Sequence, residues 1–115
     1  MKISIKRAYE PAEKSDGKRI LIDRLWPRGL TKEKVAADLW IKNVAPSTEL
    51  RKWFGHDPDK WVEFQESYKA ELMKNPAFSE LKAAIGDGKT TLVYAAKDEE
   101  HNDAVVLKDI LTQEK

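Results

Sequence analysis

The sequence predicts an α/β fold built on a small, largely parallel sheet flanked by helices. Two continuous apolar runs, Ile20-Leu21-Ile22 and Thr91–Ala96, have the composition of strands covered on both faces. Helical spacing dominates the stretch between them, most clearly at Trp61, Phe64, Tyr68 and Leu72. Polar segments carrying Gly and Pro separate these patterns, as alternating strands and helices require.

Taken in order, Ile3 and Ile5 alternate with Ser4 and Lys6, the two-residue period of a strand with one covered face. Residues 10–17 (EPAEKSDG) read as a loop. The run at 20–22 is the second strand, and it leads into Asp23-Arg24-Leu25-Trp26-Pro27-Arg28-Gly29, where Pro27 and Gly29 stop regular structure. Thr31 caps a short helical turn, and residues 38–42 (DLWIK) are expected as a third strand, with a helical tail as the alternative. Ser47 caps a helix through Leu50, Trp53 and Phe54, which Gly55 ends. Asp57-Pro58 starts the long helix carrying the Trp61–Leu72 stripe, and Asn75-Pro76 terminates it. Phe78, Leu81, Ala84 and Ile85 outline a further helix stopped at Gly86-Asp87-Gly88. The strand at 91–96, a loop at 97–103, and a closing helix with Val106, Ile110 and Leu111, capped by Asn102 or Asp103, complete the chain.

A length of 115 residues fits one domain, residues 1–115, with no repeat, linker or low-complexity stretch. The chain has no cysteine, which excludes disulfides, thiolate nucleophiles, zinc knuckles and iron–sulfur clusters. Lys2, Ser4 and Lys6 follow Met1 in place of an apolar signal core, and no run reaches membrane-spanning length. A cytoplasmic address is the expectation. With 21 basic and 20 acidic side chains, the chain lacks the basic excess of a general nucleic-acid binder, although residues 18–34 are locally basic. The four tryptophans are expected in the core, because a large aromatic buries much area.

In open parallel sheets, ligands collect at the carboxyl ends of the strands. Arg24 and Arg28 follow the second strand, Lys42 ends the third, and Lys97, Asp98, His101 and Asn102 follow the last. Guanidinium groups offer bidentate donors, and a helix N-terminus adds free N–H groups, so the combination suits a small anionic or phosphate-bearing ligand. Each residue also has a plainer reading. The arginines can brace their loop through Asp23, Glu33 or Asp38, Lys97-Asp98 can be a solvated turn, and His101 can open a helix. His56, before Asp57-Pro58, reads as structural. No pair of histidines has metal-ligand spacing, there is no Ser nucleophile elbow, and Gly86 and Gly88 precede a strand where a phosphate loop would follow one. No metal and no cofactor are expected.

Three segments, RILIDRLWPRGL (19–30), LWIKNVAPSTELRKWFGHDPDKWVEF (39–64) and TLVYAAKDEEHNDAVVL (91–107), resemble the domain of unknown function 488 family in its YeaO-like branch. The match runs over nearly the whole chain. The resemblance implies a small bacterial cytosolic protein with a rhodanese- or phosphatase-like strand–loop–helix in its C-terminal half. In other branches a cysteine ends the strand matching 91–96, and a Cys-His pair followed by Arg opens the next helix. Tyr94 stands at the first of those positions, Asn102 and Asp103 at the pair, and Ala104 at the arginine. The resemblance therefore implies the pocket without its thiol.

Three functional readings follow. The first is an anion-binding domain without thiol chemistry, using Arg24, Arg28, Lys42, Lys97 and Asn102. The second is an enzyme with His101 and Asp98 as acid–base partners and the two arginines as substrate clamps. The third is a protein or nucleic-acid interaction module using the basic 18–34 segment; a membrane partner is not expected.

Overall fold

The computed structural model describes residues 2–113. Four strands, β1 (Lys2–Arg7), β2 (Lys18–Leu21), β3 (Leu39–Trp40) and β4 (Lys89–Tyr94), form one all-parallel sheet in the order β1-β4-β2-β3. Five α-helices join them: α1 (Lys32–Val35), α2 (Thr48–Phe54), α3 (Trp61–Met73), α4 (Pro76–Ile85) and α5 (Asp103–Gln113). The expected α/β architecture with a parallel sheet is present.

The strand periodicity divides the interior in two. Ile20 and Ile22, with Leu92 and Tyr94, face a large core to which α2, α3, α4 and α5 all contribute, including Phe54, Phe64, Tyr68, Leu81 and Leu107. Leu21 and Val93 point the other way and meet Ala8, with Trp26, Leu30 and Ala37 packed against them. The second face is thus covered largely by the chain that follows β2. Helices α2–α5 share the first face instead of being spread over both.

Side-chain caps set the helix boundaries where the sequence placed them. The Lys34 N–H donates to Thr31 Oγ1 and the Leu50 N–H to Ser47 Oγ, while Gly55 ends α2 in the left-handed region at φ 54°. The Ala77 N–H donates to Asn75 Oδ1, so Asn75-Pro76 opens α4 as well as closing α3. Asp57-Pro58 starts a 3-10 turn, Pro58–Lys60, that runs into α3. At α5 the Val105 N–H donates to Asn102 Oδ1, which makes Asn102 the cap and Asp103 the first helical residue.

Two expectations are corrected. The third strand is shorter than 38–42: it holds Leu39 and Trp40 only, and Lys42 lies in a 3-10 turn, Lys42–Val44. With so short an edge strand there is little sheet for its side chains to pack on. None of the tryptophans is buried, and Trp40 and Trp53 are each 40% exposed. The indole N–H needs a partner, and here that partner lies in the loops: Trp26 Nε1 donates to the Leu30 carbonyl and Trp40 Nε1 to the Asp23 carbonyl, both at 2.7 Å. Trp26 and Trp40 meet edge to face at 5.5 Å between centroids. They pin the loop after β2 in place.

Candidate functional site

Because β2 and β4 are hydrogen-bonded neighbours, with Leu21 beside Val93, their chains leave the sheet side by side. The Ile22 N–H still bonds the Val93 carbonyl at 3.1 Å, and the Ala95 N–H then donates to Asp23 Oδ2 at 2.8 Å. Around this junction opens a cleft of about 770 Å³, bounded by the loops after β2 and β4, the Ala45-Pro46 turn, α2 and the start of α5. That volume lies in the roughly 300–1,000 Å³ range of small-molecule sites.

Arg24, Arg28, Lys97, Asp98, His101 and Asn102 all line this cleft. Lys42 does not; its ammonium lies 5.3 Å above the Trp40 ring. Arg24 is half-buried and donates through Nη2 to the Pro46 carbonyl at 3.4 Å, while its Nε is buried with no hydrogen-bond partner. Arg28 and Lys97 are exposed. His101 Nδ1 lies 2.9 Å from Asp98 Oδ2, and its ring stands edge-on to Trp61 at 5.2 Å. The Asp98 carboxyl is held below its ordinary value, first by the Glu100 N–H and also by the His101 ring and N–H, against opposing burial. Asn102 is buried and its amide is fully engaged, donating to the Asp98 carbonyl at 2.9 Å while it caps α5. It shapes the loop.

Sequence reasoning missed the innermost feature. Asp23 and Asp103 are hydrogen-bonded carboxyl to carboxyl between the two loops. Burial pushes both upward, and the negative charge of Asp23 raises Asp103 further, well above the ordinary carboxyl range; the pair titrates as a unit. Arg51, from α2, adds an opposing charge that favours ionised Asp23. Beneath them the Tyr68 hydroxyl, fully buried, donates to the Val44 carbonyl at 2.6 Å and is held far from ionising, first by burial and then by Asp103, Asp23 and Glu71. Arg51 and Lys52 also line the cleft, although neither stood out in the sequence. The signal for the carboxyl pair was position: both residues follow a central strand at the same sheet edge.

Five backbone donors between the end of β4 and the first turn of α5 are already engaged. The Ala104 N–H bonds Asp103 Oδ1 at 2.9 Å, the Val105 N–H bonds Asn102, the Ala95 N–H bonds Asp23, and those of Glu100 and His101 bond Asp98 Oδ1. The N-terminus of α5 is filled by the chain's own oxygens. Among the described residues, no group of three or more His, Asp or Glu could hold a metal ion. None of their helices is long and apolar enough to cross a membrane.

The parallel sheet, the strand–loop–helix from β4 to α5 and the absence of any cysteine define a thiol-free α/β protein with a cleft at its carboxyl edge. The chain belongs to the family described as "Inactive DUF488-N3 subclade", whose model matches residues 2–115. It is 47% identical over 112 residues to "Uncharacterized protein YeaO" of Escherichia coli (strain K12), covering 96% of this chain and 97% of that one. It is 37% identical over 110 residues to "Uncharacterized protein Rv3073c" of Mycobacterium tuberculosis, covering 96% and 93%. No solved structure matches it.

Proposed function

We propose that this protein is a cytoplasmic domain that binds a small anionic or phosphate-bearing molecule in the cleft, without thiol chemistry. The observation that carries the reading is the convergence of Arg24, Arg28, Arg51, Lys52 and Lys97 on one concavity of small-molecule size. The exposed members supply charge at the mouth, and the partnerless Arg24 Nε–H supplies a donor awaiting an acceptor. The α5 N-terminus is occupied from within, and the side-chain cations supply the positive charge that meets an anion.

Isothermal titration with alkyl phosphates and carboxylates tests this. The wild type binds, and Arg24→Ala and Arg28→Ala each weaken binding by about tenfold or more, the range of a lost charge-assisted pair. Absence of binding to every anion tried, or wild-type affinity in both variants, refutes the proposal.

The acid–base alternative has one observation in its favour, the 2.9 Å approach of Asp98 to His101. A hydrolase, phosphatase and sulfurtransferase screen comparing wild type with His101→Gln decides it: activity lost in the variant supports an enzyme. The interaction-module reading is weaker, since Arg19 is buried against Asp16 and the Val35 carbonyl, and Lys18 bonds the Ala84 carbonyl.

A further inference from the structure

The cleft sorts its unsatisfied hydrogen-bonding capacity by depth. Toward the mouth it offers donors: the exposed Arg28, Arg51, Lys52 and Lys97. Toward the interior it offers acceptors. Asp23 and Asp103 are half-buried and line the same space. An Asp23 oxygen accepts the Ala95 N–H, an Asp103 oxygen accepts the Ala104 N–H, and one proton joins the two groups. A carboxylate pair has about eight lone-pair sites; the shared proton, these two N–H groups and the Asp103 N–H take about five, which leaves about three open. The amides of Ala95, Glu100, His101, Ala104 and Val105 already serve Asp23, Asp98, Asp103 and Asn102. An anionic group reaching the inner end would face two carboxyls with few donors between them, an arrangement that costs desolvation without a partner.

We propose that the Asp23–Asp103 pair makes the cleft selective for a molecule that carries a primary ammonium group as well as its anionic group, the ammonium seated on the two carboxyls and the anion on the arginines. This rests on the reading of the cleft as an anion-binding site and narrows its ligand class. An ammonium brings three donors and a positive charge, matching the open acceptors and the net negative charge of the pair. An uncharged alkyl end in the same place would leave those acceptors desolvated and unmet. Asp103 is therefore a specificity-determining residue, acting with Asp23.

The test compares ω-aminoalkyl phosphates of about two to four carbons, a range that allows for the span of the cleft, with alkyl phosphates of the same length. Isothermal titration is run on wild type, Asp23→Asn and Asp103→Asn. The amine-bearing probe of matching length binds wild type about tenfold or more tightly than its amine-free partner, and this preference collapses in both variants while amine-free binding persists. Equal binding of the two probe series by wild type overturns the inference and leaves the anion site standing. A preference that survives both substitutions also overturns it. Failure of all phosphates to bind instead overturns the underlying proposed function. Circular dichroism and retained amine-free binding establish that the variants are folded; if they are not, the wild-type comparison decides alone.

Discussion

Asp23 and Asp103 are hydrogen-bonded carboxyl to carboxyl, bridging the loop after β2 and the first turn of α5. Both carboxyls are raised by burial above their unfolded values, so between those values and the folded ones the native state binds the extra proton. The stability this contributes is complete below the unfolded carboxyl range near about pH 4 and is lost as pH rises through the folded range of the pair.

Asp103→Asn keeps a donor to Asp23 and an oxygen for the Ala104 N–H but cannot ionise. The variant is expected to lose less stability than wild type as pH rises above about 4, measured by urea unfolding across pH. Both proteins still weaken below about pH 4, because Asp98 and Asp16 are held low in the fold and their contribution disappears on protonation. Burial opposes that lowering at Asp16, where the Glu13 N–H, Lys6 and Arg19 outweigh it. Parallel curves for wild type and variant above pH 4 would show that the pair does not share a proton.

Tyr68→Phe removes the hydroxyl that bonds the buried Val44 carbonyl at 2.6 Å and leaves that carbonyl unmet. The expected loss is about 1–3 kcal/mol in urea unfolding. A change within about 0.5 kcal/mol, the level of an ordinary surface substitution, would mean the carbonyl finds another partner.

Gly17, at φ 68°, turns the chain into β2 so closely against the Lys89 carbonyl that a Cβ would collide with it. Gly17→Ala is expected to destabilise by more than about 1 kcal/mol, through the backbone clash and the left-handed conformation together. Gly29→Ala has a positive φ but open space around it, so it is the milder change of the two. Equal losses at both sites would contradict the clash.

Where local chemistry decides structure, the sequence was informative. Ile20-Leu21-Ile22 and the 91–96 run mark the central strands, which run Lys18–Leu21 and Lys89–Tyr94, and Ser47, Asn75 and Asn102 became caps because their oxygens satisfy N–H groups only two or three residues away. The tryptophans and the third strand depended on how much surface the neighbouring strands offered, which local pattern does not encode. Arg24, Arg28, Lys97 and His101 could be anticipated together because strand ends in a parallel sheet share one edge. The Asp23–Asp103 contact could not: Asp23 read as a partner for arginine and Asp103 as a helix-opening residue, and only the adjacency of β2 and β4 brings them together.

The central claim is that the carboxyl-edge cleft is where this protein meets a small anionic molecule. Amide and indole chemical shifts followed by NMR during titration with an aminoalkyl phosphate test it most directly. The account predicts that the Trp26 indole and the amides of Ala95–Asn102 move together and saturate, while the Trp53 indole, outside the cleft lining, stays still. Saturating shifts confined to other surfaces, or no saturable shift in the cleft, would contradict it.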